Sequence, residues 1–395
     1  ASSDGTARLW NVARPERAGP LGRPLAAASG IVYAVEFSPD GEHLLTASED
    51  GITRLWALPP RLLPAHADGV ASVAVSPDGG LLATGGADQA AQLWRVGPDR
   101  RPRPVGPSLA GPRGVVGHLQ FDPSGTLLAV GSDDEQLQLW RVADPGSPEP
   151  VGRPLEGSSG YFSRDGKVLV VVRGSVLRFY DITDPADPQP VSMLDTGQAT
   201  YVTSAAFSPR KPILATAAFD KTVMLWDVSD PANPRRIGKP LRAHSGPVWA
   251  VAFRPDGAVL ATASGDRTVR LWDVRNPDSP TAMGAPLRGH ADGVTALAFG
   301  PDGQRLVTGS YDRTVRIWTL PNRGAMSLPG HSGIIEDVAM TGSGEAVSVS
   351  SDGTARLWDL RVSRSVARIC AKTASVLTEA AWARYVPYQD YDPPC

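Results

Sequence analysis

The chain has 395 residues, of which 42% are hydrophobic, with 41 glycines, 37 prolines and a formal net charge of -2 at pH 7. That balance permits a sizeable core, favours many turns over long helices, and gives no electrostatic reason to expect nucleic acid or an anionic membrane as partner. The longest apolar run, Val168 to Val172, is far too short to span a bilayer, and two cysteines exclude a disulfide-dense scaffold and suit a reducing cytoplasm.

The chain opens with SSDGTARLW, the tail of a motif whose full form recurs downstream, and no secretory signal precedes it; the protein is expected to continue upstream of Ala1. Aligned on their closing aromatics, the units end at Trp10, Trp56, Trp94, Trp140, Tyr180, Trp226, Trp272, Trp318 and Trp358, with spacings of 46, 38, 46, 40, 46, 46, 46 and 40 residues. Six positions earlier stands Asp4, Asp50, Asp88, Asp134, Asp220, Asp266, Asp312 or Asp352, and Gly174 in the unit ending at Tyr180. The unit from Gly157 to Tyr180 has also lost most of its first strand, and a thin or distorted element is expected there.

Residues 244–272 show the unit most clearly. His244 precedes three alternating apolar runs, Val248 to Phe253, Val259 to Ser264 and Thr268 to Trp272, parted by turns built on Pro255-Asp256-Gly257 and Asp266, which predicts a three-stranded antiparallel meander. A fourth short strand follows each aromatic, as at Arg236 to Leu241. Acidic, proline-rich loops such as ADPGSPEPVGRPL (143–155) and SDPANPRRIGKPL (229–241) account for the longer spacings, and their prolines keep an outer edge from stray pairing. Beyond Trp358, Ser365 to Cys370 reads as a last strand. Thr378 then caps a short helix over LTEAAWARYV, whose Leu377, Ala381, Trp382 and Tyr385 share a face that should dock on the preceding domain. Cys370 and Cys395, which flank this tail, are expected as reduced thiols.

With GH at 289–290, PDG at 301–303 and YDRTVRIW at 311–318, the repeated unit resembles a WD40 repeat, and the resemblance covers nearly the whole chain. The WD dipeptide itself stands at Trp226-Asp227, Trp272-Asp273 and Trp358-Asp359. The resemblance implies an all-β propeller of four-stranded antiparallel blades. Eight units complete in their first three strands predict eight blades over residues 27–366, with residues 1–26 a partial terminal blade and residues 367–395 the last strand and helical tail. A seven-bladed ring, with residues 1–58 in an upstream propeller, is the competing arrangement.

The resemblance also implies a buried network joining a loop histidine, a second-strand hydroxyl, the turn aspartate and the strand tryptophan. By position its members are His244, Ser264, Asp266 and Trp272; His290, Ser310, Asp312 and Trp318; and His331, Ser350, Asp352 and Trp358. The unit ending at Trp94 keeps His66 and Asp88 but has Gly86 at the serine position, so its network should be weaker. A catalytic Ser-His-Asp reading fails because equivalents recur in unit after unit. No CxxC, HExxH, GxGxxG or GxxxxGK[ST] pattern is present, and no metal or other cofactor is expected.

These features predict a non-catalytic interaction scaffold or sensor region, with a hydrolase or lyase working in a central channel as the alternative. Its partner would be a protein or an upstream domain of the same polypeptide. The ending ICAKTASVLTEAAWARYVPYQDYDPPC resembles the tails of WD40 regions in bacterial STAND-type signalling ATPases, which would make the chain a regulatory part of such a switch. In the family, partners sit on the face carrying the GH loops. Two variable positions per unit point there, and they single out Tyr33, Phe219, Trp249, Tyr311 and Glu336 as partner-binding residues.

Overall fold

A computed structural model describes residues 6–11, 19–26, 31–37, 43–48, 53–57, 62–64, 66, 69–97, 102–110, 113–320, 324–328, 330–358 and 360. The described elements are all β-strands. The helix expected over the tail, with Cys370 and Cys395, lies outside the described residues.

Seven antiparallel sheets form a closed ring. Their innermost strands are Val70–Val75, His118–Phe121, Ser159–Phe162, Val202–Phe207, Val248–Phe253, Val294–Phe299 and Ile335–Met340, which we number as the first to seventh blades. Each innermost strand packs against the next, and Ile335–Met340 packs against Val70–Val75. The β-branched and aromatic runs read from the sequence supply these strands, and the PDG-type turns reverse the chain with glycine in the left-handed region, as at Gly257 (φ 69°).

The expectation of eight blades is corrected by how the ring closes. Leu62–Pro64 does not pair with Thr53–Ala57, the strand just before it, but with Thr354–Trp358, where it becomes the fourth strand of the seventh blade. A segment that precedes the first blade therefore completes the last, so no strand edge is left at the junction. The backbone N–H of Val73 also donates to Asp337 Oδ2 across this junction, at 3.0 Å. The unit ending at Trp56 has no place between those blades. It forms a separate three-stranded sheet, Val32–Phe37, His43–Ser48 and Thr53–Ala57, and Thr6–Asn11 pairs with Gly19–Ala26 in another. The propeller expected from residue 27 thus begins at Leu62.

The third blade is also not thin. Ser159–Phe162, Val168–Arg173, Val176–Asp181 and Gln189–Asp195 make a complete four-stranded sheet. Its strength lies in the VLVVV run. Leu169, Val170 and Val171 are fully buried, packing on both faces against the neighbouring blades. Loss of the histidine loop removed a polar network while leaving the packing in place.

The proline-rich loops link the third and fourth strands within a blade, on the outer edge. Their aspartates cap the turn, as Asp144 accepts from Gly146 N and Asp184 from Ala186 N, both at 3.0 Å. Each loop then leans on the fourth strand of the preceding blade. Ser192 Oγ donates to the Pro231 carbonyl at 2.5 Å. At Gly238 (φ 58°) an added Cβ would stand 2.6 Å from the Asp278 carbonyl, so only glycine allows that approach.

Candidate interaction face

Polar networks support the face where the histidine loops emerge. In the fifth blade Trp272 Nε1–H donates to Thr262 Oγ1 at 3.1 Å, and Thr262 stands 2.8 Å from His244 Nε2. His244 Nδ1 lies 2.9 Å from Asp266 Oδ2. The directions close consistently with a neutral imidazole: the indole donates to the hydroxyl, the hydroxyl to Nε2, and Nδ1–H to the carboxylate. Burial pushes the pKa of His244 and His331 down, opposed by their aspartate partners without being cancelled. Burial raises the pKa of Asp266, Asp312 and Asp352, but hydrogen bonds from the neighbouring histidine and threonine outweigh it and hold all three below the ordinary value.

The same relay joins His290, Thr308, Asp312 and Trp318, and His331, Ser348, Asp352 and Trp358. The bridging hydroxyl is therefore Thr262, Thr308 or Ser348, each ten residues before its tryptophan, and not Ser264, Ser310 or Ser350. Those serines sit two residues further on and hold the turn: Ser264 Oγ accepts from Asp266 N and donates to the Gly246 carbonyl, both at 3.1 Å. Ser310 does the same with Asp312 N and the Asp292 carbonyl.

This shift also corrects the weak network expected at His66. His66 reaches Asp88 at 2.8 Å and Thr84 at 3.0 Å, and Trp94 Nε1 donates to Thr84 at 2.9 Å, so Gly86 costs the relay nothing. A fifth relay escaped the sequence reading. In the fourth blade Gln198 replaces histidine, accepting from Thr216 Oγ1 at 3.1 Å and donating to Thr222 Oγ1 at 3.0 Å, while Trp226 donates to Thr216. The signal was available, since Gln198 precedes Asp220 by the 22 residues that separate His244 from Asp266. In the second blade the bridging position is Val130, and Trp140 Nε1, though buried, has no hydrogen-bond partner among the described residues.

Unlike polar groups do converge on the channel, which repetition alone did not suggest. They serve as links between blades. His118 Nε2 lies 2.8 Å from the Gly160 carbonyl, Gln120 Oε1 accepts from Phe162 N, Thr203 donates to the Val248 carbonyl and Thr295 to the Ile335 carbonyl. Burial lowers the His118 pKa to about 4 and raises that of Tyr161, whose ring packs 4.7 Å from His118. Asp337, raised by burial to about 7, also accepts from Val338 N at 2.8 Å.

Above these links lies an aromatic surface. In five of the blades the second residue of the innermost strand falls at a register shift: Ala71, Thr203, Trp249, Thr295 and Glu336. A bulge leaves that residue unpaired and re-aims its side chain. Phe219 and Tyr311 open the neighbouring second-to-third-strand turns, with their N–H groups donating to the Tyr201 and Gly293 carbonyls. Tyr201 and Phe219 stack at 5.4 Å, and Phe219 meets Trp249 edge-on at 5.4 Å. Tyr201 is 49% exposed, and Phe219 and Tyr311 38% each. The structure thus brings Phe219 and Trp249 together, places Tyr311 one blade further on and Glu336 beyond it, and adds Tyr201, which lies at neither of the positions singled out in the sequence. Tyr33 falls at the same bulge position of Val32–Phe37, in the sheet outside the ring.

Among the described residues no cluster of three or more His, Cys, Asp or Glu is placed to hold a metal ion, and no helix is long and apolar enough to cross a membrane. No curated protein matches the chain. The family model "WD domain, G-beta repeat" matches residues 21–57, 59–95, 106–141, 189–227, 235–273, 283–319 and 324–359, together well over half of the chain. These segments differ from the ring's seven blades, since they include a unit outside the ring and omit the first three strands of the third blade. With the repeat geometry, the four-stranded blades and the recurring His-Asp-Trp relay, this match shows that the chain belongs to the WD40 (WD domain, G-beta repeat) family.

Proposed function

We propose that the chain is a non-catalytic docking platform whose protein partner sits on the aromatic surface of Tyr201, Phe219, Trp249 and Tyr311. WD40 propellers generally mediate protein–protein interaction, and the one observation that carries the assignment to this face is the contiguity of the Tyr201, Phe219 and Trp249 rings across the fourth and fifth blades, with Tyr311 exposed on the sixth. Exposed aromatic surface of this extent costs solvation free energy unless something covers it, and aromatic side chains dominate interface hot spots. The polar groups of the channel favour the same reading over catalysis, because His118, Thr203, Thr295 and Asp337 are engaged in bonds between blades.

We also read the chain as the regulatory region of a larger bacterial signalling ATPase of the cytoplasm, in which case the partner is an upstream domain or a protein the switch senses. The resemblance of residues 369–395 to the tails of such proteins supports this. The docking reading is tested by selecting short displayed random peptides on the full chain. Their binding should be lost in a Trp249→Ala, Tyr311→Ala double variant that keeps the wild-type circular dichroism and melting curve. Peptides that bind the double variant as well as the wild type would place the interaction elsewhere.

A further inference from the structure

We infer that a second partner segment docks in the groove between the third and fourth blades, on the face opposite the histidine loops. The segment is acidic, and it sets an apolar side chain in the groove with carboxylates against Arg164 and Arg210. The groove is separate from the aromatic surface and from the reading built on it.

A cavity of about 530 Å³ opens there. Val168 and Phe179 of the third blade and Phe207 and Val228 of the fourth give it an apolar floor. Pro231 also lines it, on the loop that Ser192 Oγ holds through the Pro231 carbonyl. Pockets that take a ligand or an anchoring side chain have this character, with mainly apolar walls around roughly 300–1,000 Å³.

The rim of the same cavity is positive. Arg164, Arg210 and Lys211 line it against one carboxylate, Asp165, which already accepts from Ser163 Oγ at 2.6 Å and from Lys167 N at 3.2 Å. Lys211 Nζ donates to the Arg275 carbonyl at 2.6 Å, which holds the ammonium without neutralising it. Among the described residues neither Arg164 nor Arg210 makes a side-chain hydrogen bond or ion pair. The corresponding groove between the fifth and sixth blades is balanced. There Arg210 and Arg254 face Asp256 and Asp302, and Arg254 Nε donates to Asp256 at 2.9 Å.

Both arginines also break the repeat. The turn between the first and second strands reads Ser76-Pro77-Asp78-Gly79, Arg254-Pro255-Asp256-Gly257 and Gly300-Pro301-Asp302-Gly303 in the first, fifth and sixth blades. Its aspartate accepts from Gly80, Ala258 or Gln304 N, at 3.0, 2.9 and 2.9 Å. In the fourth blade the turn is Ser208-Pro209-Arg210-Lys211, with a cation in place of that aspartate, and in the third Arg164 replaces the proline. Pro212 has no N–H to give, so an aspartate at 210 would find no donor there; that frees the position without asking for a cation. Ser208 Oγ holds the turn instead, accepting from Lys211 N at 3.3 Å. Folding does not need these two charges, and a sequence that leaves its own local rule does so where function is expected.

The sign of the rim selects an acidic partner, and guanidinium groups with no other partner can give carboxylates paired hydrogen bonds. Exposed ion pairs alone are worth little, so the apolar floor has to supply an anchor beside them.

The experiment uses the full chain and a synthetic library of short peptides. In each, one Phe, Trp, Tyr, Leu, Ile or Met is flanked by Asp or Glu, with Gly and Ser elsewhere, and binding is read by fluorescence polarisation. The best binder should lose at least about tenfold in affinity, about 1.4 kcal/mol, on an Arg164→Gln, Arg210→Gln double variant. That variant should melt like the wild type, since both side chains are exposed. Exchanging the carboxylates for amides, or the apolar residue for alanine, should cost as much. The Trp249→Ala, Tyr311→Ala variant should bind the peptide as the wild type does. No binder, or one that tolerates the amides or the arginine variant, would overturn the proposal. A binder that tolerates alanine would overturn the seat in the groove. Peptides lost only on the aromatic variant would overturn this site and leave the docking surface standing.

Discussion

Replacing Thr308 by valine tests the relay most directly. Valine has nearly the shape of threonine, so no large cavity opens, and the change puts a methyl where the hydroxyl stood. That hydroxyl accepts from Trp318 Nε1 at 3.0 Å and faces His290 Nε2 at 2.8 Å, in a place where Thr308 is fully buried and Trp318 only 2% exposed. Two buried polar groups are stranded, each at about 1–3 kcal/mol, which gives a loss of about 2–6 kcal/mol. Ser310→Ala removes a hydroxyl from the same strand, also fully buried, but its partners are Asp312 N and the carbonyl of exposed Asp292, at the turn, where water can replace them. About 1 kcal/mol is expected there. Denaturant titrations followed by tryptophan fluorescence and far-ultraviolet circular dichroism would compare the two midpoints. A Ser310→Ala midpoint lowered as far as that of Thr308→Val would refute the assignment of the bridging hydroxyl.

Trp140→Phe should destabilise less than Trp318→Phe, because the Trp140 indole N–H has no acceptor to lose, and matched thermal melts would show the order reversed if it did. Asp337→Asn should raise the melting temperature more at about pH 8 than at about pH 4. The folded carboxyl is raised to about 7 from an unfolded value near 3.9, so the folded state holds the extra proton in that window and wild-type stability falls as pH rises through it. An equal gain at both pH values would sink that account. Removing residues 1–57 should leave the main unfolding transition in place, whereas a further cut that takes Leu62–Pro64 should lower it sharply, since that strand closes the ring; similar melting of the two shortened chains would contradict the closure.

The relay shows why some of the site was legible and some was not. The spacing of histidine, aspartate and tryptophan is set by strand lengths and recurs along the chain. The hydroxyl was ambiguous, because Thr262 and Ser264 share a face of one strand. Register decides between them. Trp272 pairs with Leu260, so its indole, lying diagonally on the sheet, reaches Thr262 two residues on and not Ser264 four residues on. The blade count was hidden for a similar reason. The strand after Trp56 belongs to the last blade and not to the unit before it, so counting units does not say where the circle closes. Only the pairing of Leu62–Pro64 with Thr354–Trp358 does.

The interaction face is harder to read because repetition and recognition make opposite demands. Packing between blades asks for the same side chains in every unit, which is why Leu82, Leu128, Leu169, Leu214, Leu260 and Leu306 are all fully buried at one position of the second strand. A partner needs the units to differ. The bulge reconciles the two, since it takes one residue out of the ladder, and that residue can be Ala71, Thr203, Trp249, Thr295 or Glu336 without disturbing a pair. The second and third blades pair their innermost strands without such a shift. The rim is therefore uneven by construction: the large aromatic Trp249 and the half-buried carboxylate of Glu336 come from the bulged blades. A family model built on what every unit shares finds the scaffold there and passes over the residues on which recognition would depend.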